Sequence, residues 1–126
     1  LKDAHGISVS ANTFTINKKH AIFFGVQCGR ITVSGNNFSN SYIGEGQIKR
    51  DTGDLAASGV TIDGGKNIAF SGNVFSGIQP DKAFQNEKQT NNIVFGNNLL
   101  IDSESDHTQL QNSMVIDNLV IPGDPD

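Results

Sequence analysis

Four ten-residue windows of this chain superpose without a gap, and that internal repeat constrains the fold more than any other feature. They run His5–Phe14, Gly29–Phe38, Lys66–Phe75 and Asn91–Leu100. The third position is Ile7, Ile31, Ile68 or Ile93, and the fifth is Val9, Val33, Phe70 or Phe95. The eighth is Asn in each window (Asn12, Asn36, Asn73, Asn98), and the tenth is Phe14, Phe38, Phe75 or Leu100. Equivalent positions are 24, 37 and 25 residues apart. A fifth, degraded copy spans Ser113 to Val120, with Val115, Asn118 and Val120 in register.

Each column has a physical reading. Two apolar residues two positions apart face the same side of a strand, so that side is the interior. The small residues before the Asn predict a turn, because Gly and Asn tolerate left-handed backbone and the Asn amide bonds its neighbours. The chain then resumes as a strand with Phe or Leu inward. One copy cannot bury its apolar face, whereas stacked copies share a continuous core. At about 4.8 Å per copy, identical residues fall above one another, which predicts an Ile column, a Phe column and a ladder of Asn amides. A chain with 14 Gly, 3 Pro and no Trp suits many short strands and tight turns. A helix fails because the apolar positions alternate instead of recurring at i, i+3 and i+4. A propeller blade needs about 40 residues or more, and a leucine-rich repeat needs a different, Leu-based consensus.

The I-x-[VF]-S-G-N-x-F windows resemble those of the right-handed parallel β-helix superfamily, which includes pectate lyases, related polysaccharide lyases and hydrolases, and phage tailspikes. The resemblance covers roughly residues 5–100 and implies an all-β, right-handed, single-stranded parallel β-helix. Four to five coils are expected within one segment, 1–126, with an insertion at about 41–57 and a degenerate coil and tail at 101–126. The resemblance further implies three strands per coil, with the Asn ladder at the turn between the second and third. First strands are then expected at Ala21–Phe24, Gly59–Asp63 and Ala83–Asn86. Ile22, Phe24, Val60, Ile62 and Phe84 point inward, and Phe23, Thr61, Asp63 and Gln85 point outward.

In enzymes of that superfamily the substrate groove follows the first-strand face, walled by loops leaving the third strand. The 37-residue spacing places 12 or 13 extra residues in such a loop, around Ser41–Leu55. This segment supplies Tyr42, Glu45, Lys49, Arg50, Asp51 and Asp54, the densest group of ionisable side chains in the chain. Paired cations neutralise sugar carboxylates and acidify an adjacent carbon. Lys49, Arg50 and Asp63 are therefore the catalytic candidates, with Phe23, Tyr42, Asp51, Asp54, Thr61 and Gln85 as substrate-binding candidates. A solvated charged loop is the competing reading, and one Asp on the first-strand face is fewer than a hydrolase of this type uses.

Other groups carry less. Asp51-Thr52-Gly53 has no second copy to make an aspartic-protease pair, and Gly64-Gly65-Lys66 is a turn and not a phosphate loop. Asn37-Phe38-Ser39 fits the glycosylation triplet, a weak signal in an Asn-rich chain. His5, His20 and His107 fall in different turns, and no protein metal site is assigned. No cofactor is expected, although Asp102, Glu104, Asp106 and His107 form a segment whose oxygens suit Ca²⁺; a solvated connection is the competing reading. Cys28 reads as a buried apolar residue.

A net charge of −4 with no extended basic run argues against nucleic acid, and no apolar run approaches a membrane span. Acidic or neutral polysaccharide is the expected partner, at an extracellular, cell-surface or virion location. The function expected is that of a carbohydrate-active β-helix protein, lyase or glycoside hydrolase. A non-catalytic binding or adhesive solenoid and a trimeric tail-type structural segment are the alternatives. With Leu1 first and no cap ahead of His5, the chain reads as a piece of a longer protein. Preceding coils, a partner chain or a capping segment are expected over its N-terminal end.

Overall fold

The computed structural model describes residues 1–14, 20–39, 58–78 and 82–122. The described residues form strands and turns with no helix. The first layer holds β1 (His5–Ser10) and β2 (Thr13–Phe14); the second holds β3 (His20–Phe24), β4 (Gly29–Ser34) and β5 (Asn37–Ser39). The third holds β6 (Ser58–Ile62), β7 (Lys66–Ser71) and β8 (Val74–Ser76). The fourth holds β9 (Phe84–Asn86), β10 (Thr90–Asn91), β11 (Ile93–Gly96) and β12 (Leu99–Ile101). The fifth holds β13 (Leu110–Gln111), β14 (Met114–Ile116) and β15 (Leu119–Ile121).

Every named strand pair is parallel, and each pairs with its counterpart one layer away. One sheet runs β1-β4-β7-β11-β14, a second β2-β5-β8-β12-β15, and a third β3-β6-β9. The repeat sets this register. Ile7, Ile31, Ile68 and Ile93 stand one above another, and so do Phe14, Phe38, Phe75, Leu100 and Val120. The 37-residue spacing leaves the alignment of β4 on β7 undisturbed. Extra residues in a connection lengthen the excursion between strands without moving the strands, because closing a longer loop costs only a logarithmic increment.

The interior is apolar and continuous. Phe24, Val33, Phe38, Val60, Ile62, Phe70, Phe75, Phe84, Ile93 and Phe95 are buried in one cluster, and Cys28 packs with them. Phe14, Phe38 and Phe75 stack nearly flat, with centroids 4.9 and 4.7 Å apart. Those distances match the rise between parallel strands, so the backbone spacing and the ring spacing are satisfied together.

The eighth column forms a ladder of asparagine amides. Asn73 Nδ2 donates to Val33 O at 3.0 Å and to Asn98 Oδ1 at 2.9 Å. Asn73 Oδ1 accepts from the backbone N and the Nδ2 of Asn36, both at 3.0 Å. Two donors and two acceptors are all the amide has, so a buried polar group is fully satisfied. The same pattern links Asn12 to Asn36 and Asn98 to Asn118.

Two turn columns hold left-handed backbone in all five layers. At the seventh position these are Ala11, Gly35, Gly72, Asn97 and Asp117, and at the second position Gly6, Arg30, Asn67, Asn92 and Asn112. A positive φ at both ends of the second strand lets the chain bend sharply into its neighbours. The last layer leaves its apolar side chains open, with Leu119 at 61% and Val120 at 58% exposure.

Candidate functional site

The outer face of the three-stranded sheet is where the sequence places a groove. Phe23, Thr61 and Gln85 stand in register there, between the inward pairs Ile22/Phe24, Val60/Ile62 and Phe84/Asn86. Phe23 and Gln85 are half-buried. Thr61 has no exposed surface, although it belongs to this outward row. Its hydroxyl lies 2.8 Å from His20 Nδ1 and accepts from Gln85 Nε2 at 3.2 Å. The His20 ring also tilts against Phe23, with centroids 5.1 Å apart. Thr61 therefore orients its neighbours, while Phe23, His20 and Gln85 provide the surface.

Asp63 follows β6, where its backbone N donates to Phe24 O at 2.7 Å. Lys88 Nζ stands 3.1 Å from Asp63 Oδ1. That oxygen is buried and accepts no directed hydrogen bond, so the contact is an ion pair without hydrogen-bonding geometry. Lys49, Arg50, Tyr42, Asp51 and Asp54 lie outside the described residues, as does the rest of the 40–57 segment.

A fourth member of the row escapes the sequence reading. Ser105 bridges in parallel to Phe84, and Asp106 N donates to Phe84 O at 2.8 Å. Asp106 therefore continues Phe23, Thr61 and Gln85 by one layer. The signal was hidden because Asp102–His107 reads as a charged connection and carries no strand pattern. Asp106 Oδ1 accepts from the Thr108 backbone N at 2.9 Å and from its hydroxyl at 2.7 Å. Those two bonds hold the carboxyl below its ordinary value, so it stays ionised at neutral pH. The other groups of this segment turn elsewhere: Glu104 pairs with Lys82, and His107 Nε2 meets Ser105 Oγ at 2.8 Å. Among the described residues no three His, Cys, Asp or Glu side chains converge as metal ligands.

Beneath this face two side chains carry buried polar atoms without hydrogen-bond partners. Asn86 follows Phe24 and Ile62 in an inward column, and both of its amide atoms are buried without a hydrogen-bond partner. His107 packs on Phe84 and Phe95, at centroid distances of 5.3 and 5.1 Å, and its Nδ1 is buried and unpartnered. Burial pushes the His107 pKa down, partly opposed by the negative charge of Asp106.

No protein-family profile, curated relative or solved structure matches this chain.

Proposed function

We propose that the chain is a stretch of right-handed parallel β-helix from a carbohydrate-active protein, and that it binds polysaccharide along the outer face of the β3-β6-β9 sheet. The observation that carries this reading is the row Phe23, Thr61, Gln85 and Asp106, one residue per layer. The ring of Phe23, the imidazole of His20, the amide of Gln85 and the ionised carboxylate of Asp106 are groups that stack on sugar rings and bond their hydroxyls, while the enclosed Thr61 holds His20 and Gln85 in place. Their rise of about 4.8 Å per layer makes the row a linear track suited to an extended polymer. The handedness rests on the strong preference of parallel crossovers for the right-handed sense.

A lyase or glycoside hydrolase activity would draw its base and acid from Lys49, Arg50 and Asp63. The non-catalytic reading has its own support. Asp106 is held ionised, and glycoside hydrolysis needs one carboxyl kept protonated opposite a second. The proposal extends to an extracellular or cell-surface setting and to preceding coils, a partner chain in a trimer, or a cap over the N-terminal end.

The test is binding to, and turnover of, a panel of acidic and neutral polysaccharides. Retention in affinity gels and ultraviolet absorbance of unsaturated products, with reducing ends counted in parallel, are the two readouts. Binding that Phe23→Ala abolishes supports the track. Product that disappears in Lys49→Ala, Arg50→Ala or Asp63→Ala supports an enzyme. Folded protein that binds no polymer on the panel overturns both.

A further inference from the structure

A concavity lies away from that face, at the corner where β3 turns into β4. It encloses about 590 Å³, and its lining includes His5, Val26, Gln27, Arg30, Lys66 and Asn67. Arg30 and Lys66 are exposed, and neither makes an ion pair or a side-chain hydrogen bond among the described residues. His5 shares the site, with Asp3 Oδ1 3.8 Å from its Nε2. In a chain of net charge −4, two unpaired cations over one hollow are a local excess of positive charge. A hollow of about 550 Å³ farther along the β1-β4-β7-β11-β14 sheet, lined by Asn92, Ile93, Val94, Asn112, Ser113 and Met114, has no charged side chain. The charge belongs to this corner and not to the repeat.

The backbone gives an independent reason to single out Arg30. It occupies the left-handed column whose other members are Gly6, Asn67, Asn92 and Asn112, with φ of 52°. Gly and Asn accept that conformation readily, and Arg does not. From Asn67 onward the column builds an outer ladder: Asn92 Nδ2 donates to Asn67 Oδ1 at 2.8 Å and Asn112 Nδ2 to Asn92 Oδ1 at 2.6 Å. An Asn at position 30 would extend this ladder and relax the backbone. Strain alone does not signal function, since Ala11 is left-handed too. At Arg30 the strained backbone, the interrupted ladder and the unpaired charge coincide beside Lys66 at the mouth of a hollow.

We propose that this corner is a binding site for an oxyanion, a carboxylate or a sulfate, held by Arg30 and Lys66. The guanidinium presents paired N–H donors to two oxygens of the anion, and the Lys66 ammonium adds a point charge. The amides of Gln27 and Asn67 offer further donors, and Val26 gives the hollow an apolar wall. Because both cations are solvated, the affinity expected is on the order of millimolar. The site uses none of the residues of the polysaccharide track and stands or falls without it.

The experiment is an NMR titration of the whole chain with sodium sulfate and with sodium glucuronate, at ionic strength matched by chloride, and glucose as the uncharged control. Saturable shifts at residues 26–30 and 64–67 with one oxyanion, absent with chloride and glucose, are expected; the arm that saturates says whether the site takes a tetrahedral or a planar group. Arg30→Asn is expected to weaken binding at least tenfold while the anion-free melting temperature stays level or rises. Lys66→Gln is expected to weaken it as well. Absence of saturation with both oxyanions overturns the proposal, as does undiminished binding in Arg30→Asn or in Lys66→Gln. A lower melting temperature of Arg30→Asn would show that Arg30 props the fold, and would overturn the assignment too.

Discussion

Two columns of asparagines run along this molecule, and they behave differently. In the inner ladder, Asn36, Asn73 and Asn98 are buried, and each amide bonds the next layer and a backbone carbonyl of the layer before. In the outer ladder, Asn67, Asn92 and Asn112 are exposed and bond one another singly. Water can replace a bond of the outer ladder but not one of the inner ladder, so the same side chain is obligatory in one column and replaceable in the other. This explains why the eighth position is Asn in all five layers while the second admits Gly6 and Arg30. The repeat is free to carry function at columns whose polar groups face solvent.

The largest effect expected from breaking that comparison is Asn73→Ala. It leaves the buried Asn36 backbone N without its acceptor and removes one bond each from Asn36 Nδ2, which keeps Val9 O, and from Val33 O, and about 3–5 kcal/mol of stability should be lost in denaturant unfolding. Phe75→Ala tests the neighbouring apolar column between Phe38 and Leu100, and a loss of about 3–4 kcal/mol is expected from burial and cavity together. Asn118→Ala, at the end of the inner ladder where water has access, should cost about 1 kcal/mol. Asn92→Gly, which keeps the left-handed turn and deletes the outer bonds, should change stability by under about 0.5 kcal/mol. If Asn73→Ala and Asn92→Gly proved equal, the distinction between the columns would be wrong.

A pH profile sharpens the contrast between satisfied and unsatisfied interior polar groups. His107 is held neutral by burial, so its folded-state pKa lies below the ordinary imidazole value of 6.5. The unfolded chain then binds the proton more readily, and the stability contributed by neutral His107 is full above 6.5 and lost as pH falls through the lower, folded value. His107→Gln should flatten the acid side of the melting-temperature profile relative to the parent chain, while leaving the profile above pH 7 about parallel.

The stacked strands and the Asn ladder were legible in the sequence because both depend on identity at fixed positions. Ile7, Ile31, Ile68 and Ile93 announce one column regardless of what lies between them, and the long connection before β6 does not blur it. The degraded fifth copy was legible through Asn118 alone among its polar positions, since its amide must meet Asn98. The left-handed second column was not, because Arg30 hides a turn that Gly6 and Asn67 would have signalled. The face of the proposed track was partly legible. Alternation placed Phe23, Thr61 and Gln85 in one row, but alternation says nothing about lateral cover, and Thr61 is enclosed through its bonds to His20 and Gln85. Asp106 was missed since one bridge, and no strand, brings it into line. Asn86 ends the expected strand Ala83–Asn86, and its inward direction follows only from its register on Ile62.

The central claim is that layers stack in register across the long connection, with Thr32 directly beside Ala69. In a Cys28→Ala background, Thr32→Cys with Ala69→Cys places two thiols on adjacent parallel strands, whose α-carbons are about 4.8 Å apart and within disulfide reach. Mild oxidation should close that bond nearly completely. Thr32→Cys with Val94→Cys, two layers apart at roughly 10 Å, should stay reduced. Failure of the first pair to close, or equal closure of the second, would contradict the stacking.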